Sequence, residues 1–192
     1  SVLANEAPEV AQTFESWTTR LVEGDKALDL EPFIAKDPEF RKDDIYPAFI
    51  SNNSYDGRLI SLPYTKSVPV LYYNKDMFRD AGLDPEKPPR TWDEFVDAAR
   101  KLTRDLNGDG RIDAQSDRFG YAYRTSLWVF ACMFLSGGGS FFLEDGSCDA
   151  ANPAAIRALT LLQSLEYRDH AAVRAVGFGD TDYFTDQKAG MI

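Results

Sequence analysis

Apolar residues along the chain fall in short blocks separated by proline, glycine and charge. Val68, Val70, Leu71, Tyr72 and Tyr73 make a β-branched and aromatic run too short for a helix, which predicts a strand buried on both faces. Asp76 is placed to cap a short helix from Met77 to Ala81, and Gly82 stands where a left-handed C-terminal residue is wanted. Pro85, Pro88 and Pro89 interrupt regular structure until Thr91, which forms a capping box with Glu94 at the head of a second helix. In that helix Trp92, Phe95, Val96, Ala99 and Leu102 share one face, which predicts packing on a sheet.

Upstream, Ala7 to Gln12 reads as a short strand running into a helix that repeats Phe14, Trp17 and Leu21 at helical spacing and closes at Gly24. Asp56 and Gly57 supply the positive φ of a two-residue hairpin turn, and Leu59, Ile60 and Leu62 continue as a strand. Downstream, Phe119 to Tyr123 reads as a strand, and Thr125 to Leu135 as an apolar helix ending in Ser136 and three glycines. Asn152 and Pro153 open a further helix, with Ile156, Leu159, Leu161, Leu162 and Leu165 as its apolar stripe.

A chain of 192 residues that is 44% hydrophobic can bury a real core. Its 21 basic and 31 acidic residues give a formal charge of -10, which repels phosphate backbones and anionic membranes, and no basic stripe restores a nucleic-acid reading. A local basic group can still receive a small anion. No apolar run approaches the roughly 20 residues that span a bilayer, and the N-terminus carries no recognisable address. Cys132 and Cys148 do not make a disulfide framework; they are open either to bridging in an oxidising compartment or to staying thiols, one in a helix and one in a turn. The single histidine, His170, falls in a polar stretch and cannot alone make a metal site.

The most chemically specific stretch runs from Asp105 to Asp117. Oxygen donors stand at Asp105, Asn107, Asp109 and Asp113, glycine turns the chain at Gly110, and Arg111 offers a backbone carbonyl, the spacing of a Ca²⁺ loop. Ser116 replaces the usual bidentate glutamate, so Asp117, a water or a remote carboxylate would complete the shell. A structural Ca²⁺ is the expectation, against the alternative of an Asn-Gly and Asp-Gly turn cluster without an ion. No organic cofactor is expected.

Leu62-Pro63, the run Val70-Leu71-Tyr72-Tyr73-Asn74-Lys75-Asp76, Ala81-Gly82-Leu83 and Thr91-Trp92-Asp93-Glu94-Phe95, in this order and spacing, resemble the segment where extracytoplasmic solute-binding proteins of ABC importers pass from one lobe to the other. The resemblance is to the family that holds the maltose-binding and glycerol-3-phosphate-binding proteins. It implies an α/β, two-lobed, periplasmic-binding-protein-like fold of type II, represented here by part of lobe one (residues 1–67) and most of lobe two (residues 68–192), entered through the crossing strand 68–73. Leu28 to Ile50 resembles the family's surface segment, Phe141 to Leu143 with Asp145-Gly146 its small hairpin, and Phe184 to Ile192 its Phe, spacer, Ala, Met signature.

The same resemblance implies roles for individual residues. Thr13, Phe14 and Glu15 follow the first strand and would touch ligand, although Phe14 is equally a core aromatic and Glu15 equally an answer to the helix dipole. Tyr64, Thr65, Lys66 and Ser67 would line the cleft floor, Lys66 as an anion partner or a solvated lysine and Ser67 as a donor. Trp128 falls on the aromatic that stacks on a sugar ring, with helix-core packing as its alternative. The implied function is capture of a sugar, oligosaccharide, or sugar or glycerol phosphate outside the cytoplasm, in the periplasm or as an extracellular, lipid-anchored protein, and delivery to ABC permease subunits. As family chains are longer, the stretch reads as a fragment, expected to bind solute weakly or not at all by itself and to self-associate through uncovered apolar surface. The competing readings are a calcium-dependent carbohydrate-interaction module and a hydrolase, which would need two facing carboxylates about 5 to 9.5 Å apart.

Overall fold

Residues 8–149 and 152–192 are described by a computed structural model, without the side chain of Glu15. The chain divides into two compact units, one running to Val68 and the other from Pro69 to Ile192.

In the first unit a 3-10 turn, Glu15–Trp17, leads into helix α1, Thr18–Glu23, which Gly24 ends. Helix α2, Glu31–Ile34, and helix α3, Pro47–Asn52, each carry proline in the first turn, where a missing N–H costs nothing. The hairpin of β1, Ser54–Tyr55, and β2, Arg58–Leu59, turns on Asp56 and Gly57, both at positive φ as their types predict. Asn53, 4% exposed, ties helix to hairpin: its amide donates to the Phe49 carbonyl at 2.7 Å and its side-chain oxygen accepts from the Ser61 hydroxyl at 2.7 Å. Its own carbonyl accepts from Ile60 N–H, and Leu30 N–H donates to the carbonyl of the fully buried Leu59.

The second unit is built on a parallel three-stranded sheet in the order β4-β3-β5, where β3 is Phe119–Arg124, β4 Ala172–Ala175 and β5 Ala189–Met191. Tyr121 stands opposite Ala172 in β4 and Met191 in β5. Helix α4, Lys75–Asp80, and helix α5, Trp92–Leu102, come before the sheet in sequence. Helix α6, Leu127–Ser136, helix α7, Pro153–Gln163, and a π-helical turn, Ser164–Arg168, connect β3 to β4. Helix α8, Gly179–Thr185, connects β4 to β5. Both parallel connections contain helix, as such crossovers require. The apolar face of α5 meets the sheet as its pattern predicts, with Phe95, Ala99 and Leu102 buried and the Phe95 ring edge-on to Tyr121 at 4.9 Å. Phe78, Leu165 and Met191 complete that core.

Several expectations need correction. The run Val68 to Tyr73 is not a doubly buried strand: Val68 is 68% and Val70 60% exposed, and only Tyr73 forms a ladder bridge, with Met191. Among the described residues its main chain pairs on one side alone, through Tyr72 with Ile192 and through Asn74 N–H with the Gly190 carbonyl, so its side chains lack a second layer there. Residues 8–12 are exposed and carry no strand, for want of a partner among the described residues; Ala7 lies outside them. Asn74, not Asp76, caps α4, accepting from the N–H groups of Asp76 and Met77, because the helix begins one residue earlier than Asp76. In α7 the small residues Ala154, Ala155 and Ala158 are buried, while Ile156 and Leu159 of the expected stripe are 58% and 57% exposed. Of the two states left open for Cys132 and Cys148, the structure holds the second, both being free thiols.

Candidate functional site

In an open parallel sheet, ligands gather outside the carboxyl ends of the strands, where the connections to the following helices begin. Here β3 ends at Arg124 and β4 at Ala175. A crevice of about 470 Å³ opens at that edge, lined by Arg124, Thr125, Arg174, Ala175, Val176 and Gly177. Gly177 turns the β4 exit at a φ of +61°, a conformation that suits glycine.

Two guanidinium groups shape the crevice. Arg124 Nε donates to Asp180 Oδ2 at 2.8 Å, and its guanidinium carbon lies 4.4 Å from the centre of the Phe178 ring, so one edge and one face are held. Asp180 itself is only 7% exposed. Arg174 Nη2 lies 3.5 Å from Glu166 Oε1 and donates to the Tyr167 hydroxyl at 3.3 Å. Glu166 also accepts from the Tyr123 hydroxyl. Burial, reinforced by that bond to a carboxylate, pushes the Tyr123 phenol above its ordinary value, so it stays a neutral donor. Tyr121 is raised chiefly by burial.

Helix α6 rises from the same edge. Ser126 Oγ accepts from Trp128 N–H at 3.1 Å and starts the helix, leaving the Trp128 side chain 71% exposed. Trp128 is thus not a core residue of this unit. In the first unit, Thr13 and Ser67 are exposed, Phe14 is 74% and Tyr64 85% exposed, and the Lys66 ammonium lies 5.7 Å from the centre of the Phe49 ring. The exposure of Phe14 removes it from the core of its unit. The side chain of Glu15 lies outside the described residues.

Arg124, Arg174 and Asp180 were not legible as site residues. An arginine closing an apolar strand, as in Phe119 to Arg124, is a usable signal for a strand end. Nothing in sequence links Arg124 to an aspartate so far along the chain.

The loop from Asp105 to Asp117 is closed by its own side chains. Asp105 accepts from Gly108 N–H and Gly110 N–H, Asn107 from Asp109 N–H, and Asp109 from Arg111 N–H at 2.8 Å. Asp117, 2% exposed, accepts from Leu106 N–H at 2.8 Å and Asp113 N–H at 2.9 Å, clamping both ends. Asp113 is held below the usual carboxylate range by hydrogen bonds from Ser116 and from Gln115 N–H. Among the described residues no group of three or more His, Cys, Asp or Glu side chains is arranged to hold a metal ion. Among them, too, no helix is long and apolar enough to cross a membrane.

Residues 1–191 match the model of a family described as bacterial extracellular solute-binding protein. The sn-glycerol-3-phosphate-binding periplasmic protein UgpB of Escherichia coli (strain K12) is 30% identical over 171 residues, covering 83% of this chain and 36% of the relative. Among solved structures, UgpB from Mycobacterium tuberculosis in complex with glycerophosphocholine superposes with a TM-score of 0.73 at 21% identity, over 91% of this chain and 43% of that one. An ABC transporter solute-binding protein from Agrobacterium radiobacter K84 in complex with ribitol gives a TM-score of 0.76 at 23% identity, over 99% of this chain and 47% of that one. The structural likeness shows the α/β fold of two-lobed binding proteins, and the chain spans less than half the length of each of these three.

Proposed function

The chain belongs to the bacterial extracellular solute-binding protein family, and on that premise we propose that it acts as the substrate-capturing part of an ABC importer. Its solute is a sugar, a polyol or a phosphate ester of one, and its partners are the permease subunits that receive it. The family match across residues 1–191 carries this reading. A crevice at the carboxyl edge of a parallel sheet, close in sequence to an exposed tryptophan, supports it. The role is binding and not catalysis, and it is exercised outside the cytoplasm, as it is for the periplasmic relative.

The unit boundary between Val68 and Pro69 supports assigning residues 1–67 to one lobe and 68–192 to the other. Thr13, Phe14, Glu15, Tyr64, Lys66 and Ser67 are proposed as the ligand contacts of the first lobe and Trp128 as that of the second. A structural Ca²⁺ in the Asp105 loop belongs to the same proposal and is supported by the oxygen spacing alone. Self-association is supported by exposed apolar side chains such as Ile156 and Leu159.

Titration calorimetry of the full-length protein against neutral sugars, polyols and their phosphate esters tests the main reading. Saturable binding of one class without turnover is the expected result. Release of reducing sugar from an oligosaccharide would replace it with the hydrolase reading.

A further inference from the structure

We propose that the crevice at the ends of β3 and β4 is an anion-recognising subsite in which Arg124 and Arg174 bind a phosphate or carboxylate group of the solute. The proposal rests on the solute-binding reading and narrows its substrate to an anionic one.

The charges of the cluster are layered. The two carboxylates of the cluster lie behind, with the Asp180 side chain 10% and the Glu166 side chain 17% exposed. The two guanidiniums lie in front, with the Arg124 side chain 32% and the Arg174 side chain 50% exposed. The cluster is neutral as a whole, yet the part that lines the crevice is cationic, in a chain whose formal charge is -10. A basic lining on an acidic protein repels polyanions at long range and still pairs with a small anion at contact.

Arg124 is prepared for such a partner. Asp180 takes its Nε and Phe178 its face, and among the described residues Nε is the only nitrogen of this guanidinium with an acceptor. The terminal pair of nitrogens is left as a fork, the geometry that receives a carboxylate or phosphate through two parallel bonds. Because the plane of the group is already fixed, little side-chain entropy remains to be lost on binding. Arg174 is held more loosely, by a 3.5 Å ion pair and a 3.3 Å bond to a phenol, and is free to turn toward the same anion. The loop beyond is open: a Cβ added to Gly177 meets nothing within 4 Å. The volume of about 470 Å³ suits a small solute and not a polymer.

The test is titration calorimetry of the full-length protein with sn-glycerol 3-phosphate, glucose 6-phosphate and glucuronate, each beside its neutral counterpart, glycerol or glucose. It is run at low salt and in about 0.5 M NaCl. Arg174→Gln removes one cation and leaves the Arg124–Asp180 pair intact; Arg124→Lys keeps charge and removes the fork. Loss of one charge-assisted bond predicts a roughly tenfold or greater fall in affinity for the anionic probe in each variant, with salt weakening the wild type as well. Binding of the esters without glucuronate assigns phosphate, and the reverse assigns carboxylate. Should Arg124→Lys lose its circular dichroism signature, Arg174→Gln and the salt series decide alone. A neutral sugar that binds more tightly than its ester and is indifferent to Arg174→Gln overturns the anion assignment and leaves solute capture standing. Failure of every probe of both classes to bind overturns the two together.

Discussion

Gly120 of β3 passes so close to Ala99 of α5 that a Cβ on the glycine would lie 1.9 Å from the Ala99 carbonyl oxygen. The approach is bridged by Thr103, whose hydroxyl accepts from Gly120 N–H at 3.0 Å and donates to the same Ala99 carbonyl at 2.8 Å. Helix and strand thus meet backbone to backbone, and no rotamer change can relieve an added methyl. Gly120→Ala is expected to destabilise the second unit by about 3 kcal/mol. Urea unfolding measures it, and a loss within experimental error would show that α5 can lift from the sheet without cost.

Asp169 sits just after the π-helical turn, its side chain 11% exposed, and gathers two arginines. Oδ1 accepts from Arg168 Nε at 2.9 Å, and Oδ2 from Arg100 Nη2 at 2.8 Å, which ties α5 to the entry of β4. The Arg168 bond first, and then Arg100, hold its carboxyl below the usual carboxylate range. A folded-state pKa below the unfolded value contributes stability that is complete above the unfolded carboxylate value of about 4 and is lost as pH falls through the folded value. Asp169→Asn is expected to cost about 1 kcal/mol at neutral pH, modest because both arginines are substantially exposed. The gap to wild type should close as the pH falls below the unfolded value of about 4 and on through the folded one. Denaturant melts at pH 7 and in acid check both the size and the sign.

These two relationships mark where sequence reasoning held and where it stopped. Local chemistry was legible: Thr91 Oγ1 accepts from Glu94 N–H at 3.2 Å as a capping box requires, although the returning Glu94 carboxylate takes Arg90 N–H instead of Thr91 N–H. Gly82 stands at positive φ and Asp56-Gly57 forms its turn, since a left-handed residue is dictated by its own atoms. The burial of Val68 to Tyr73 was misread because composition states what a strand prefers and not how many neighbours it finds. Arg124 and Asp180 were missed for the converse reason. Their pairing exists only once the crossover from β3 to β4 has brought the end of β3 beside the start of α8.

The Asp105 loop allows its own hydrogen bonds to be told apart from the proposed ion. Asp117→Ala leaves Leu106 N–H and Asp113 N–H without their acceptor and is expected to cost about 1 to 3 kcal/mol with or without added Ca²⁺. If the loop takes Ca²⁺, millimolar Ca²⁺ raises the melting temperature of the wild type and Asp105→Asn abolishes the rise. A melting temperature indifferent to Ca²⁺ and to chelator would leave the amide network as the whole account of the loop.

Trp128 offers the sharpest division between fold and function. Its indole is 71% exposed and its helix is started by Ser126, so the fold owes it little. Trp128→Ala is expected to change stability by no more than about 0.5 kcal/mol, as is usual for a surface position. The exposed ring is the proposed stacking face for a sugar or polyol, whose C–H groups meet the negative π-surface, and its removal should weaken solute binding about tenfold. Trp128→Phe keeps a π-face and should recover part of the loss. Calorimetric titration of the three proteins with whichever solute binds the wild type compares them directly, and equal affinities would remove Trp128 from the site.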